Sequence, residues 1–262
     1  MYLYENQFSR EHDFATDARA GKFLVIASTP RCGSHMLGHA LHQIGCFGFP
    51  LEYANPVNLP EWEKQLQRQG FPEVLDELMR RRTSSNGVFA IKIHYEHIAT
   101  FGGFPPLMRH FPNAFYLLLT RRDALRQAVS LSRAKQTGVW IAGQQASTHP
   151  PQYSYQDINQ SLKRVLMDTA SWRYLLASHG CRHLEMSFEQ ASADLDGTAA
   201  LLAGKLGIEA PSRTARPVTH RQGDELNQQW YERFLQQHRA SSDSLTRQDG
   251  LLDKVFRRMR GG

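Results

Sequence analysis

Phe23-Leu24-Val25-Ile26-Ala27-Ser28-Thr29-Pro30-Arg31-Cys32-Gly33-Ser34-His35-Met36-Leu37 is the stretch on which the fold turns. Phe23 to Ala27 is an unbroken apolar run, too short for a helix, and reads as a strand buried on both faces. Ser28 to Ser34 contains a proline and a glycine and reads as a turn. From His35 to Ile44 the residues Met36, Leu37, Ala40, Leu41 and Ile44 recur at helical spacing. A buried strand passing through a tight turn into a helix is the opening unit of an α/β sheet.

The same alternation continues outward. Strands are expected at Val88–His94, Ala114–Thr120 and Cys181–Ser187. A loop and a helical segment rich in Glu, Gln and Arg follow Pro56. Further helices are expected over Asp123–Gln136, with Asp123 as N-cap, over Tyr155–His179 and over Ala193–Leu206, and a last one from near Asp224. This pattern predicts an α/β, P-loop-like three-layer fold, a central parallel sheet flanked by helices, with ligands bound beyond the carboxyl ends of the strands. Residues 1–20 read as a loose polar arm, 21–240 as the functional domain and 241–262 as a charged tail.

Composition narrows the function. The chain has 262 residues, 31 Lys and Arg against 25 Asp and Glu, and a formal charge of +6. That mild excess suits a small anionic ligand better than a nucleic-acid footprint, so no nucleic-acid partner is expected. No apolar run is long enough to span a bilayer, and the N-terminus lacks the pattern of a secretory signal. Three cysteines without zinc spacing fit a reducing, cytoplasmic setting. No HExxH or paired-carboxylate motif is present, and no metal is expected.

The turn Ser28–His35 has the layout of a phosphate cradle. Amides at a helix start converge on an anion, and the helix dipole adds to them. Gly33 permits close approach, Ser34 offers a hydroxyl, and Arg31 is the cation of the loop. The lysine of GxxxxGK[ST] is missing, which argues against an ordinary ATP kinase. Cys32 reads as a small packing residue. Beyond the third strand come Arg121-Arg122-Asp123 and a helix carrying Ser130. Alone, the two arginines read as a solvated pair, but cations at a helix N-terminus are unfavourable without a nearby anion. Glu52, among Phe49, Leu51 and Tyr53, is a candidate base, with a pKa expected to be raised by desolvation. Lys92 and His94 share one face of the second strand. A cation inside an apolar strand needs a partner, so Lys92 belongs with the site, and His94 is the rival base.

In these motifs the chain resembles the bacterial sulfotransferases typified by the mycobacterial trehalose sulfotransferase and, more distantly, the rhizobial Nod-factor sulfotransferases. The segment ASTPRCGSHML stands where that family binds the 5′-phosphosulfate of 3′-phosphoadenosine 5′-phosphosulfate (PAPS). Val129-Ser130, the run Arg133-Ala134-Lys135-Gln136-Thr137 and Trp140 match a subgroup stretch. The resemblance implies PAPS as co-substrate, held through Arg31, Cys32, Gly33, Ser34, His35 and Met36, with Arg31 on the sulfonate or 5′-phosphate. It implies Arg121, or alternatively Arg122, with Ser130 on the 3′-phosphate, and a late loop Arg221-Gln222-Gly223 closing over it. It implies Glu52 as general base with Lys92 beside it, a sugar or glycolipid hydroxyl as acceptor, and a homodimer. The competing readings are a nucleotide-dependent kinase and a non-catalytic nucleotide-binding protein.

Overall fold

The computed structural model describes residues 5–140, 144, 150–214, 225–241 and 245. Four parallel strands, β1 (Lys22–Ser28), β2 (Val88–His94), β3 (Phe115–Thr120) and β4 (His183–Ser187), form one sheet in the order β2-β1-β3-β4. The helices are α1 (Ser34–Ile44), α2 (Leu59–Leu66), α3 (Gly70–Arg82), α4 (Phe104–His110), α5 (Ala124–Thr137), α6 (Tyr155–Ser178), α7 (Phe188–Ala193), α8 (Leu195–Leu206) and α9 (Glu225–His238). All four expected strands are present, and the expected α/β architecture holds.

Side-chain parity along β1 builds the layers. Phe23, Val25 and Ala27 face one way, onto Leu75 and Leu78 of α3, Leu107 of α4 and Trp172 of α6. Leu24 and Ile26 face the other way, onto Leu37 and Leu41 of α1 and Leu202 of α8. A strand apolar at every position is therefore what a two-faced sheet requires. The same parity in β2 sends Phe89, Ile91 and Ile93 to the first core, and Ala90 to the second. Lys92 and His94 share the parity of Ala90, on the side of α1. A third cluster, Ala128 and Val129 of α5, Ile158 of α6 and Trp230 and Phe234 of α9, docks the last helix.

Three local features differ from expectation. Tyr95–Phe101 forms 3-10 turns leading into α4, whose Pro105 and Pro106 sit in the first helical turn, where a missing N–H costs nothing. The helix expected from Ala193 to Leu206 starts at Leu195, as α8, and a short helix not expected, α7, precedes it; Asp194 between them caps α8 by accepting from the Gly197 amide. The stretch expected as a loose arm is tied to the body. Buried Arg82 donates to the carbonyls of Gln7 and Ser9 at 3.2 and 2.9 Å and pairs with Asp13 at 2.8 Å. Among the described residues no helix is long and apolar enough to cross a membrane.

Candidate active site

The turn after β1 is fixed from three sides. The Trp172 indole donates to the Ser28 carbonyl at 3.1 Å. Buried Gln127 of α5 donates to Thr29 Oγ1 and to the Pro30 carbonyl, both at 2.7 Å. Arg31 and Gly33 take positive φ values of 67° and 92°. A Cβ at Gly33 would stand 2.1 Å from the Phe188 ring, so the first turn of α1 closes against α7 only because residue 33 lacks a side chain. Cys32, Ser34 and Met36 are buried. Burial pushes the Cys32 thiol up, which suits a packing residue and not a nucleophile.

Cations gather beside this turn. Arg31 Nε donates to Ser130 Oγ at 2.9 Å, and its Nη1 donates to the Trp140 carbonyl. Arg121 Nη1 donates to the Arg31 carbonyl at 3.3 Å, and Arg121 also lies 4.0 Å from Glu189. Burial, then the charges of Arg121 and Arg133, lower Arg31 from 12.5 to about 10. A buried guanidinium set among guanidinium neighbours is stabilised by an anion between them, so these residues fit a phosphate. The structure thus brings Arg31, Arg121 and Ser130 together. Arg31 reaches toward Ser130, the side expected for the 3′-phosphate. Arg122 is exposed, and its amide donates to Glu189. Arg221, Gln222 and Gly223 lie outside the described residues.

The carboxylate half packs against α1 further along the helix, at Gly38. A Cβ at Gly38 would fall 2.5 Å from the Pro50 carbonyl, so glycine there lets the chain that carries Glu52 lie directly against the helix. The Lys92 amide donates to the Leu51 carbonyl at 3.0 Å, which sets Glu52 beside β2. Glu52 Oε1 then meets Lys92 Nζ at 2.8 Å and His94 Nε2 at 3.1 Å. Oε2 accepts from Asn55 Nδ2 at 3.1 Å, and Ser28 Oγ lies 3.0 Å from His94 Nδ1. Burial alone would raise the Glu52 carboxyl, but Lys92 and His94 outweigh it and hold the group well below the ordinary range. This corrects the expected direction: Glu52 is ionised at neutral pH. Asn55 and Gln127 complete the site but carry no local motif, because each acts through a contact that only the fold creates, as does the Ser28 hydroxyl toward His94.

His35, in the first turn of α1, feels the charges of both halves. Burial and the nearby charges of Lys92, His39 and Arg31 lower it to about 2, against the opposing pull of Glu52. Burial likewise lowers His39 to about 4 and His97 to about 3. Both folded values lie below the unfolded value of about 6.5, so their stabilising effect is complete above that pH and fades as pH falls. Thermal melts should therefore show a loss of about 2–4 kcal/mol between pH 7 and 5 from this pair. A flat melting temperature over that interval would show that these rings titrate freely.

No curated protein sequence matches the chain. Among solved structures, it is similar to a sulfotransferase from Alicyclobacillus acidocaldarius, with a TM-score of 0.50 and 13% identity over 84% of this chain and 95% of that one. The sulfotransferase domain from the curacin biosynthetic pathway gives 0.48 and 12%, covering 93% of this chain and 99% of that one. A mouse sulfotransferase complexed with PAP gives 0.43 and 14%, covering 97% and 79%. The first of these likenesses speaks for the fold, that of the P-loop-like sulfotransferases. A family model spanning most of the domain is decisive: it matches residues 23–237, and the chain belongs to the Stf0 sulphotransferase family.

Proposed function

We propose that this sulfotransferase moves a sulfuryl group from PAPS to a hydroxyl of a carbohydrate or glycolipid acceptor, with Glu52 as general base. The observation that carries the reading is that Arg31, Arg121 and Ser130 meet beside the turn that opens α1, while the chain carrying the Glu52–Lys92–His94 group packs against the same helix at Gly38. The donor supplies the activated sulfuryl group. The amides of the first turn of α1, with Ser34, hold its 5′ end. Arg121 and Ser130 hold the 3′-phosphate through charge-assisted hydrogen bonds, with Arg122 as the second choice and Arg221, Gln222 and Gly223 closing over it. Arg31, assigned to the sulfonate or 5′-phosphate by the resemblance, is moved here to the 3′-phosphate because its Nε donates to Ser130. Glu52 faces the acceptor hydroxyl, and Lys92 keeps that carboxylate ionised. Donor identity draws on the family match and on the cation cluster. Acceptor class, a cytoplasmic setting and a homodimer rest on the resemblance alone.

Transfer of labelled sulfate from PAPS to a panel of sugars and glycolipids, with a control lacking acceptor, tests the proposal. Label should appear in a sugar product only when both substrates are present. Tight donor binding with no transfer to any sugar would overturn the acceptor class.

A further inference from the structure

We propose that Oε2 of Glu52 is the atom that takes the acceptor proton, and that His94 and Asn55 are positioning residues that leave it that one task. This rests on the sulfuryl-transfer reading above. A carboxylate oxygen offers two lone-pair sites in its plane. On Oε1 both are taken, by Lys92 Nζ at 2.8 Å and His94 Nε2 at 3.1 Å. Among the described residues Oε2 accepts only the Asn55 amide, at 3.1 Å, and keeps one lone pair. The Asn55 side chain cannot turn over to add to or remove from that count. Its Oδ1 accepts from the Val57 amide at 3.1 Å, which points Nδ2 at Glu52, and the residue is buried.

His94 is a donor and not a second base. Its Nε2 faces a carboxylate oxygen, so that nitrogen carries a proton and has no lone pair to give. Ser28 Oγ lies 3.0 Å from Nδ1 and 3.4 Å from the Ile93 carbonyl. If the hydroxyl donates to Nδ1, the ring is neutral with the proton on Nε2. If it donates to Ile93, both nitrogens are protonated. Either way Nε2–H points at Oε1. Glu52 and His94, rivals in the sequence, thus act as one base and its support.

The step balances. The acceptor O–H bond breaks, its proton moves to Oε2, and the oxygen's electron pair forms the new S–O bond. The S–O bond to the donor phosphate breaks, and its pair leaves on the phosphate oxygen.

Steady-state kinetics on the full chain separate donor from base at His94. Gln places an amide N–H where Nε2 stood, whereas Phe fills the space without a donor. His94→Phe should lower kcat by about 10–100-fold with the KM for PAPS unchanged, and His94→Gln should restore kcat about tenfold over the Phe variant. If His94→Phe does not fold, His94→Asn replaces it, since its shorter amide reaches Ser28 and not Glu52. Equal kcat in the donor-bearing and donor-lacking variants, whether both low or both high, overturns the inference. The reading on which it rests fails separately, through survival of turnover in Glu52→Gln.

Discussion

Glu52→Gln should lower kcat by about 10²–10⁴-fold while the affinity for PAPS stays within about threefold of wild type. The substitution keeps length and shape but removes the carboxylate charge of the proposed base. Glu52 is poised for that role because Lys92 and His94 hold it ionised despite its burial. The proposed donor site is not touched, since the bonds that join Arg31 to Ser130 and Arg121 to the Arg31 carbonyl do not involve Glu52. A neutral amide beside buried Lys92 loses an ion pair, so a lower melting temperature is expected alongside the kinetic loss. Working below that temperature isolates the chemical effect. A kcat within tenfold of wild type would remove Glu52 from the reaction.

Arg31→Met should weaken PAPS binding by about 10–150-fold while leaving the melting temperature of the free protein unchanged or higher. Loss of charge-assisted hydrogen bonds to a phosphate accounts for the first effect, at about 1.5–3 kcal/mol. The second effect follows from the surroundings of Arg31. Its guanidinium is buried near Arg121 and Arg133, and both lower its pKa. Relieving that repulsion offsets the lost contacts to Ser130 and Trp140. Met keeps the unbranched stem, so the left-handed backbone at residue 31 carries no new strain. Calorimetric titration and a thermal melt read the two quantities. Unchanged affinity, or a melting temperature lowered by many degrees, would make Arg31 a structural residue.

Much of this site was legible in the sequence because its signals are local. The apolar run of β1, the glycine at 33 and the N-cap Asp123 each specify their own geometry, and the structure follows them. Lys92 announced itself as a cation in a buried strand, and its partner is Glu52. What the sequence concealed depends on distant partners. Apolar neighbours of Glu52 suggested a raised pKa, but the decisive neighbour is a lysine forty positions later. Arg31 and Ser130, far apart in the chain, meet only when α5 packs beside the first turn. Asn55 is an ordinary loop amide until its two hydrogen bonds are seen together. The 3-10 turns and α4 went unforeseen because Gly102, Gly103 and two prolines break helical periodicity there.

A crystal structure of the chain with 3′-phosphoadenosine 5′-phosphate bound tests the central claim most directly. The 3′-phosphate should lie within hydrogen-bonding distance of Arg31, Arg121 and Ser130, with the 5′-phosphate on the amides that open α1. A nucleotide with either phosphate free in solvent would contradict the account.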